Sequence, residues 1–226
     1  MTNREIVLGR IREALKAEAP PPDSRRAAGG TPLLSVSPKR WLPPVGESIE
    51  EQIELFRQNA EDLKTEFHEC SNLHEAVQYI EHWAVVDGWK KIGLHSGELT
   101  DGLARGLGLA EVRTDAGYVV NDLESCDAGI TECEALVAQT GSVLVSAPSA
   151  GGRALSVLPP HHVVLARRNQ MVPDLTAALQ RVQEKFKDRM PSFLSFVTGP
   201  SRTGDIERIL VLGAHGPKKL TILLLP

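Results

Sequence analysis

The sequence predicts an α/β domain with a largely parallel sheet, and two observations lead to this prediction. Short runs rich in Val, Leu and Ile, which are typical of buried strands, alternate along the chain with segments of helical periodicity. Parallel strands need crossover connections, which are usually helices, so this alternation favours a sheet covered by helices on both faces. We therefore expect a single three-layer domain at residues 47–226, preceded by an N-terminal helical arm at residues 1–46.

The arm is predicted from a helix and a proline-rich segment. Thr2 and Glu5 have the spacing of a capping box at the start of an amphipathic helix, which we place at residues 2–18. Seven of the 15 prolines of the chain then lie within residues 20–44. A segment of this composition has no hydrophobic period and builds no core of its own, which indicates a linker.

Three further segments have the period of amphipathic helices. The first begins near Ser48, which forms a capping box with Glu51. The second covers residues 73–86, and the third follows Pro173. Their apolar stripes are, in order, Ile49, Ile53, Phe56, Ala60 and Leu63; Leu73, Ala76, Val77, Ile80 and Ala84; and Leu175, Ala178, Leu179, Val182 and Phe186.

Short apolar runs between these segments are predicted as strands. They are WKKIGLHSG at 89–97, GYVV at 117–120, SVLVSA at 142–147, HVVLAR at 162–167, SFLSFVTG at 192–199 and KLTILLL at 219–225. In folds of this class, ligands bind outside the carboxyl ends of the strands. We therefore expect the loops after residues 95, 147 and 197 to lie near one another.

Composition and charge exclude several classes of partner. The net charge of −4 and the pI near 6.0 offer no attraction to phosphate backbones, so we expect no nucleic acid as a partner. No apolar run reaches the roughly 18 residues that a membrane span requires. The N-terminus also lacks the apolar core of a signal peptide, and we expect a cytoplasmic protein.

The cysteines and paired histidines do not predict a metal site. Cys70, Cys126 and Cys133 form no CxxC motif, and an odd number of thiols suits a reducing compartment. We expect all three to be structural. His161 and His162 lack the third ligand that a metal centre needs, so we predict no metal in this chain.

The stretch TGPSRTGDIERILVLGAHGP, at residues 198–217, is the strongest candidate for a ligand site. We expect TGDIERIL to begin a helix, where glycines leave backbone N–H groups open and the helix dipole favours an anion. Neither a Walker A loop nor GxGxxG is present, so the glycines predict no nucleotide. The alternative is an ordinary capped helix start. The candidate residues are Gly199, Ser201, Arg202, Thr203, Asp205, Gly213, His215 and Gly216.

Three motifs carry a resemblance to a known family. GPSRTGDIERILVLGAHGPKKLTILLL closely resembles the carboxyl-terminal signature of the lactate utilisation protein C family, the LUD domain. DAGITECEALVAQTGSVLV resembles the middle motif of that family, and LPPHHVVLARRNQMVPDL matches the Pro-His strand that follows it. The resemblance covers residues 45–226.

This resemblance implies a fold similar to that of the sugar-phosphate isomerase and CoA-transferase superfamily. It also implies one component of a three-protein system that oxidises L-lactate to pyruvate. The partner proteins would carry the iron–sulfur clusters, so we expect no cofactor on this chain alone. Whether this component is itself an enzyme is left open by the resemblance.

The resemblance also extends the candidate site to the middle motif, at Glu134, Thr140 and Gly141. Gln139 departs from the family pattern, which has an acidic residue before Thr-Gly, so no carboxylate base is present at that position. Glu134 remains nearby in sequence.

We expect a small-anion pocket formed by these loops. Arg202 would hold a carboxylate or phosphate with its guanidinium, Ser201 and Thr203 would donate hydrogen bonds, and His215 would be the candidate catalytic acid or base. These side chains transfer no hydride or electron by themselves, so redox chemistry would need a partner or cofactor. Two alternatives remain: a stand-alone transferase, isomerase or ligase acting on a phosphorylated or CoA-linked substrate, and a non-catalytic scaffold subunit.

Overall fold

The computed structural model describes Leu8 and residues 44–115, 117–187, 189–203, 211–213 and 215–226. Leu8 is helical, as predicted, and the rest of the predicted helix at 2–18 and most of the proline-rich segment lie outside the described residues. The compact unit that contains the remaining described residues extends from Pro43 to Pro226.

Five helices and twelve strands are described in this unit. The helices are α1 (Ile49–Asp62), α2 (Leu73–Val86), α3 (Glu98–Ala104), α4 (Val120–Glu124) and α5 (Leu175–Phe186). The strands are β1 (Glu66–Glu69), β2 (Lys91–Leu94), β3 (Ala110–Arg113), β4 (Ala128–Thr131), β5 (Ala135–Val137), β6 (Ser142–Ser146), β7 (His161–Arg167), β8 (Met171–Val172), β9 (Leu194–Val197), β10 (Arg202–Thr203), β11 (Val211–Leu212) and β12 (Lys219–Leu225).

A six-stranded sheet in the order β1-β12-β7-β4-β2-β3 forms the centre of the unit, and every neighbouring pair in it is parallel. The two longest strands, β7 and β12, are adjacent and pair from His161 and Lys219 onward. The chain leaves β2 toward β3 on one side and leaves β4 toward β7 on the other. The strand order therefore reverses between β2 and β4, which is the topological switch point of the sheet.

The two faces of this sheet bury different elements. Val163 and Leu165 of β7 pack in the same core cluster as the apolar residues of α2 and α3. Val164 and Ala166, which alternate with them, pack in the cluster that contains Ile53 of α1 and residues of β5 and β6. The centre of the sheet is thus buried on both faces, as the nearly continuous apolar runs of β7 and β12 predict.

A second sheet, in the order β8-β5-β6-β9, is one that the sequence analysis did not predict. Strand β6 is antiparallel to both β5 and β9, whereas β8 is parallel to β5. Helix α5 covers this sheet through Ala178 and Val182, which contact its apolar residues. Strands β5 and β8 have three and two residues, too few to show a period-two pattern.

Most of the predicted elements are confirmed. Helix α1 has the Ser48–Glu51 capping box, α2 has the predicted bounds, and the predicted strands at 142–147, 162–167 and 219–225 correspond to β6, β7 and β12. One strand was wrong: GYVV leads into α4, with Tyr118, Val119 and Val120 exposed. The inner face of α5 was wrong in part, because Leu175 and Leu179 are exposed.

Candidate functional site

The stretch at 198–217 lies beside the amino ends of β7 and β12. The backbone N–H of Ser201 donates to the carbonyl of Pro217 (2.8 Å), and that of Lys218, just before β12, donates to Pro160, just before β7 (2.7 Å). The predicted helix does not begin at Thr203, because Arg202–Thr203 pairs antiparallel with Val211–Leu212. Residues 204–210, with Asp205 and Glu207, lie outside the described residues.

Gly199 shapes the start of this loop. Its φ of +85° is one that residues with a side chain rarely adopt, and a Cβ at this position would lie 3.0 Å from the carbonyl oxygen of Leu63. The same position lies 3.8 Å from Nη2 of Arg202. Nη2 of the exposed Arg202 therefore lies close to Gly199, which is next to Leu63 at the end of α1.

The structure brings the QTG turn to this loop. The hydroxyl of Thr140 donates to Oγ of Ser142 (2.9 Å), and Ser142 forms a hydrogen bond with the hydroxyl of Thr198 (2.8 Å). Gly141, with φ of +63°, packs against the backbone of Asn59 and Ala60 in α1. The two motifs thus form one group of hydroxyls, although 56 residues separate Ser142 from Thr198 in sequence.

The second half of the stretch closes against the first. The backbone N–H of Gly213 donates to the carbonyl of Ser201 (2.9 Å), and a Cβ on Gly216 would lie 3.2 Å from Cβ of Ser201. His215 is exposed and forms no hydrogen bond or ion pair with a described residue. Its role as an acid or base therefore stays a prediction.

Glu134 lies apart from these residues, at the other end of the β5–β6 hairpin. The carboxylate is 2% exposed, accepts from the hydroxyl of Ser146 (2.6 Å) and pairs with Nζ of Lys185 (2.6 Å). An antiparallel hairpin places the start of its first strand beside the end of its second, far from the turn. Nearness in sequence to Thr140 was therefore a wrong guide to nearness in space.

The expected gathering of three loops is confirmed for two of them. The N–H of Glu132 donates to the carbonyl of Ser149 (2.9 Å), and Gly151 packs against His95, so the loops after residues 95 and 147 meet at the carboxyl edge. The loop after 197 does not reach this edge. Strand β9 is antiparallel to β6, so it ends beside Ser142, where β6 begins.

The switch point holds polar residues that the sequence analysis did not single out. Oε1 of Glu132 accepts from the N–H groups of Leu99 (2.8 Å) and Thr100 (3.3 Å), at the start of α3. His95 is 2% exposed; its Nδ1 lies 3.1 Å from the carbonyl of Ser96, and its Nε2 lies 3.3 Å from the N–H of Glu132. Since the N–H of Glu132 donates to Nε2, the hydrogen bond to the carbonyl of Ser96 is one that Nδ1 donates. The sequence signal is a polar residue directly after each of two neighbouring strands.

The paired histidines occupy the centre of the parallel sheet. Nε2 of His161 bonds to the hydroxyl of Thr221 (2.7 Å), and Nε2 of His162 bonds to that of Thr131 (2.9 Å). Burial lowers the pKa of His161 to about 4 and that of His162 to about 3. Both rings are therefore neutral at physiological pH.

The thiols are buried in the same way. Burial raises the pKa of Cys70 to about 11, and it also raises the pKa of Cys126 and of Cys133. A protonated, buried thiol is a poor nucleophile and a poor metal ligand. Within the part of the chain that the structure describes, no group of three or more His, Cys, Asp or Glu side chains is arranged to hold a metal ion.

Comparison with known proteins identifies relatives across most of the chain. The model of the family described as LUD domain matches residues 53–225. A protein of Bacillus licheniformis named lactate utilization protein C is 30% identical, over 96% of this chain and 93% of its own length. The Bacillus subtilis protein of the same name is 27% identical, over 98% and 95%.

A solved structure shares the fold. The crystal structure of a DUF162 family protein from Deinococcus radiodurans superposes with a TM-score of 0.64 at 21% identity. It covers 80% of this chain and 100% of its own.

None of the helices in the described residues has the length and apolar character of a membrane span.

Proposed function

This chain belongs to the LUD domain family, and from that premise we propose that it is a cytoplasmic component of a lactate utilisation system that oxidises L-lactate to pyruvate. Relatives named lactate utilization protein C align over nearly the whole chain, which supports this proposal. Burial raises the pKa of all three thiols, which makes them poor ligands for a metal cluster. The oxidation would therefore draw on iron–sulfur clusters carried by partner proteins.

The role that we assign to this chain is binding of a small carboxylate, such as lactate or pyruvate, at the 198–217 loop. One observation carries it: the Ser142–Thr198 hydrogen bond joins the QTG turn to the loop that presents Arg202. A guanidinium presents two parallel N–H donors that match a carboxylate, and hydroxyl groups nearby add donors. His215, on the same loop, is then the candidate that would take or give a proton at the ligand.

Ligand-induced stabilisation tests this role. We expect lactate or pyruvate to raise the melting temperature of the wild-type chain, whereas inorganic phosphate, CoA and sugar phosphates probe the alternative of a stand-alone transferase, isomerase or ligase. A ligand at 100 times its dissociation constant stabilises by roughly 2.7 kcal/mol. For a chain of this size that corresponds to very roughly 5–11 °C.

Three variants make the result specific to the loop. Arg202→Ala should abolish the shift, and Arg202→Lys should retain only part of it, because an ammonium lacks the planar fork of the guanidinium. Arg105→Ala is the matched control, since Arg105 is an exposed arginine next to α3, on the other side of the sheet. If the Arg202→Ala variant still shows the rise in melting temperature, the ligand binds outside this loop. No shift with any compound, together with retained co-purification of partner proteins, would favour the scaffold alternative.

A further inference from the structure

Strand β3 is an open edge of the parallel sheet. It is the last strand on its side of the sheet order, and within the described residues it pairs with β2 alone. The other edge strand, β1, ends at Glu69, whose carboxylate pairs with Arg57 and Arg168. An edge strand presents unpaired backbone N–H and C=O groups that another strand can use.

The backbone of β3 divides its residues into two sets. The N–H groups of Ala110 and Thr114 donate to the carbonyls of Lys90 and Leu94, beside and within β2. Because successive backbone groups of a strand point to opposite sides, those of Glu111 and Arg113 point to the open side. These two residues are therefore placed to form hydrogen bonds with a further strand.

The open side is complementary to a second copy of itself. In an antiparallel pair centred on Val112, Glu111 lies opposite Arg113 of the other copy, and Arg113 lies opposite its Glu111. Both are backbone hydrogen-bonding positions, while Val112 lies opposite Val112 at a non-hydrogen-bonded position. Opposite charges that face each other across two strands stabilise the pair. A two-fold axis through Val112 satisfies the requirement of a closed dimer.

Charged residues on an edge strand often serve to prevent association. Repulsion needs like charges to face each other, whereas the Glu111-Val112-Arg113 order places unlike charges together under two-fold symmetry. Apolar surface follows directly along the chain: Tyr118, Val119 and Val120 are 40%, 63% and 51% exposed. A group of exposed large apolar residues is typical of an interaction surface.

We propose that a second copy of this chain pairs antiparallel with the β3 edge, centred on Val112, and joins the two parallel sheets into one continuous sheet. Interfaces of this small area are weak, so we expect a dimer that dissociates on dilution.

Cysteine cross-linking tests the symmetry. In this pairing the Cα atoms of the two Val112 residues lie about 4.5 Å apart, within the range that a disulfide spans. Val112→Cys should therefore form a disulfide-linked dimer on mild oxidation of the full chain. Ala110→Cys is the control on the same face of β3, because the two copies of residue 110 would be more than about 12 Å apart. Because Val112 packs against the cluster that contains Cys126, both cysteine variants are made in a Cys126→Ala background. The other native cysteines, Cys70 and Cys133, are 5% and 2% exposed.

Charge reversal tests the complementarity. Glu111→Arg alone and Arg113→Glu alone place like charges opposite each other, and each should sediment as a monomer at concentrations where the wild type is a dimer. A mixture of the two variants restores both opposite-charge pairs and should form a heterodimer. Within its own chain Arg113 pairs with both Glu111 and Asp101, so circular dichroism of each variant must first confirm the fold. A wild-type chain that is monomeric at about 200 μM, or equal cross-linking of both cysteine variants, would overturn the proposal.

Discussion

At the scale of the residue, Glu132 shows how a side chain distant in sequence completes a local structure. Helix α3 begins after Gly97, which supplies no capping side chain. The orphan N–H groups of its first turn are satisfied instead by the carboxylate of Glu132, 33 residues further along the chain. A capping motif of residues close in sequence, such as Ser48 and Glu51, can be recognised from the sequence. A cap that comes from a residue far along the chain cannot.

Substitution of Glu132 separates its capping role from its charge. Glu132→Ala leaves the N–H groups of Leu99 and Thr100 without their acceptor, and we expect a loss of about 1–2 kcal/mol in the free energy of unfolding. Glu132→Gln keeps an acceptor oxygen and should cost less than about 0.5 kcal/mol by the same argument. Urea denaturation measures both, with the exposed Glu81→Ala in α2 as control. Equal losses for Ala and Gln would show that charge, not capping, stabilises α3.

The candidate site was predictable in its parts and not in its assembly. Loop composition alone predicts Gly199, Ser201 and Arg202 as candidates. That their loop meets the QTG turn depends on the hydrogen bond between Ser142 of β6 and Thr198, directly after β9, and these two strands belong to an unpredicted sheet. Glu134 was misplaced for the same reason, because the hairpin that separates it from Thr140 was not recognised.

At the scale of the element, long periodic segments were predicted well and short ones were not. Helices α1 and α2 each have 14 residues, enough for the apolar stripe to repeat along four turns. GYVV has the β-branched residues of a strand, yet its side chains are exposed, and strand propensity reflects burial on a pleated surface more than the residue type. Four residues do not reveal whether a surface exists to bury them.

Gly141, in the turn between β5 and β6, adopts a left-handed backbone conformation and also packs closely against α1. Gly141 has φ of +63°, and a Cβ there would lie 2.9 Å from backbone atoms of Asn59 and Ala60. Gly88 has φ of +71°, and nothing lies within 4 Å of the same position. Gly88→Ala should therefore cost only the roughly 1–2 kcal/mol of the left-handed conformation. Gly141→Ala should cost at least about 1 kcal/mol more, because α1 must move.

Chemical denaturation of both variants gives the difference directly. If the two losses are equal, the turn does not press against α1. A binding measurement with Gly141→Ala under folding conditions would further show whether the position of the turn matters to the ligand at Arg202.

At the scale of the whole molecule, the parallel sheet was predictable because β7 and β12 are nearly continuous apolar runs. The edge strands β1 and β3 carry charged residues and were not predicted. What the pattern does not encode is strand order, since β12 enters between β1 and β7 although it comes last in the chain. The expectation that loops meet at the carboxyl edge of the sheet was correct for the loops after residues 95 and 147. It was wrong for the loop after residue 197, because β9 belongs to another sheet. Loops meet at one edge only when their strands belong to the same parallel sheet, and the sequence did not show that β9 belongs to a different sheet.

The global stability should depend on pH through the histidines in the central strand. The folded chain keeps His161 and His162 neutral, with pKa values lowered by burial to about 4 and about 3, while the unfolded chain protonates them near pH 6.5. Between those values the unfolded state binds more protons, so the free energy of unfolding falls as the pH falls. Each histidine contributes a slope of up to about 1.4 kcal/mol per pH unit. His68, whose pKa burial also lowers, acts in the same direction.

Urea denaturation between pH 7.5 and 4.5 measures how the free energy of unfolding changes with pH. This range lies above the usual carboxylate pKa of about 4, so most carboxylates do not titrate within it. His161→Gln should reduce the slope by up to about 1.4 kcal/mol per pH unit even if it lowers stability at pH 7.5. A stability that stays flat from pH 7 to 5 in the wild type would mean that water or a charge reaches the two rings in the folded chain, contrary to their burial.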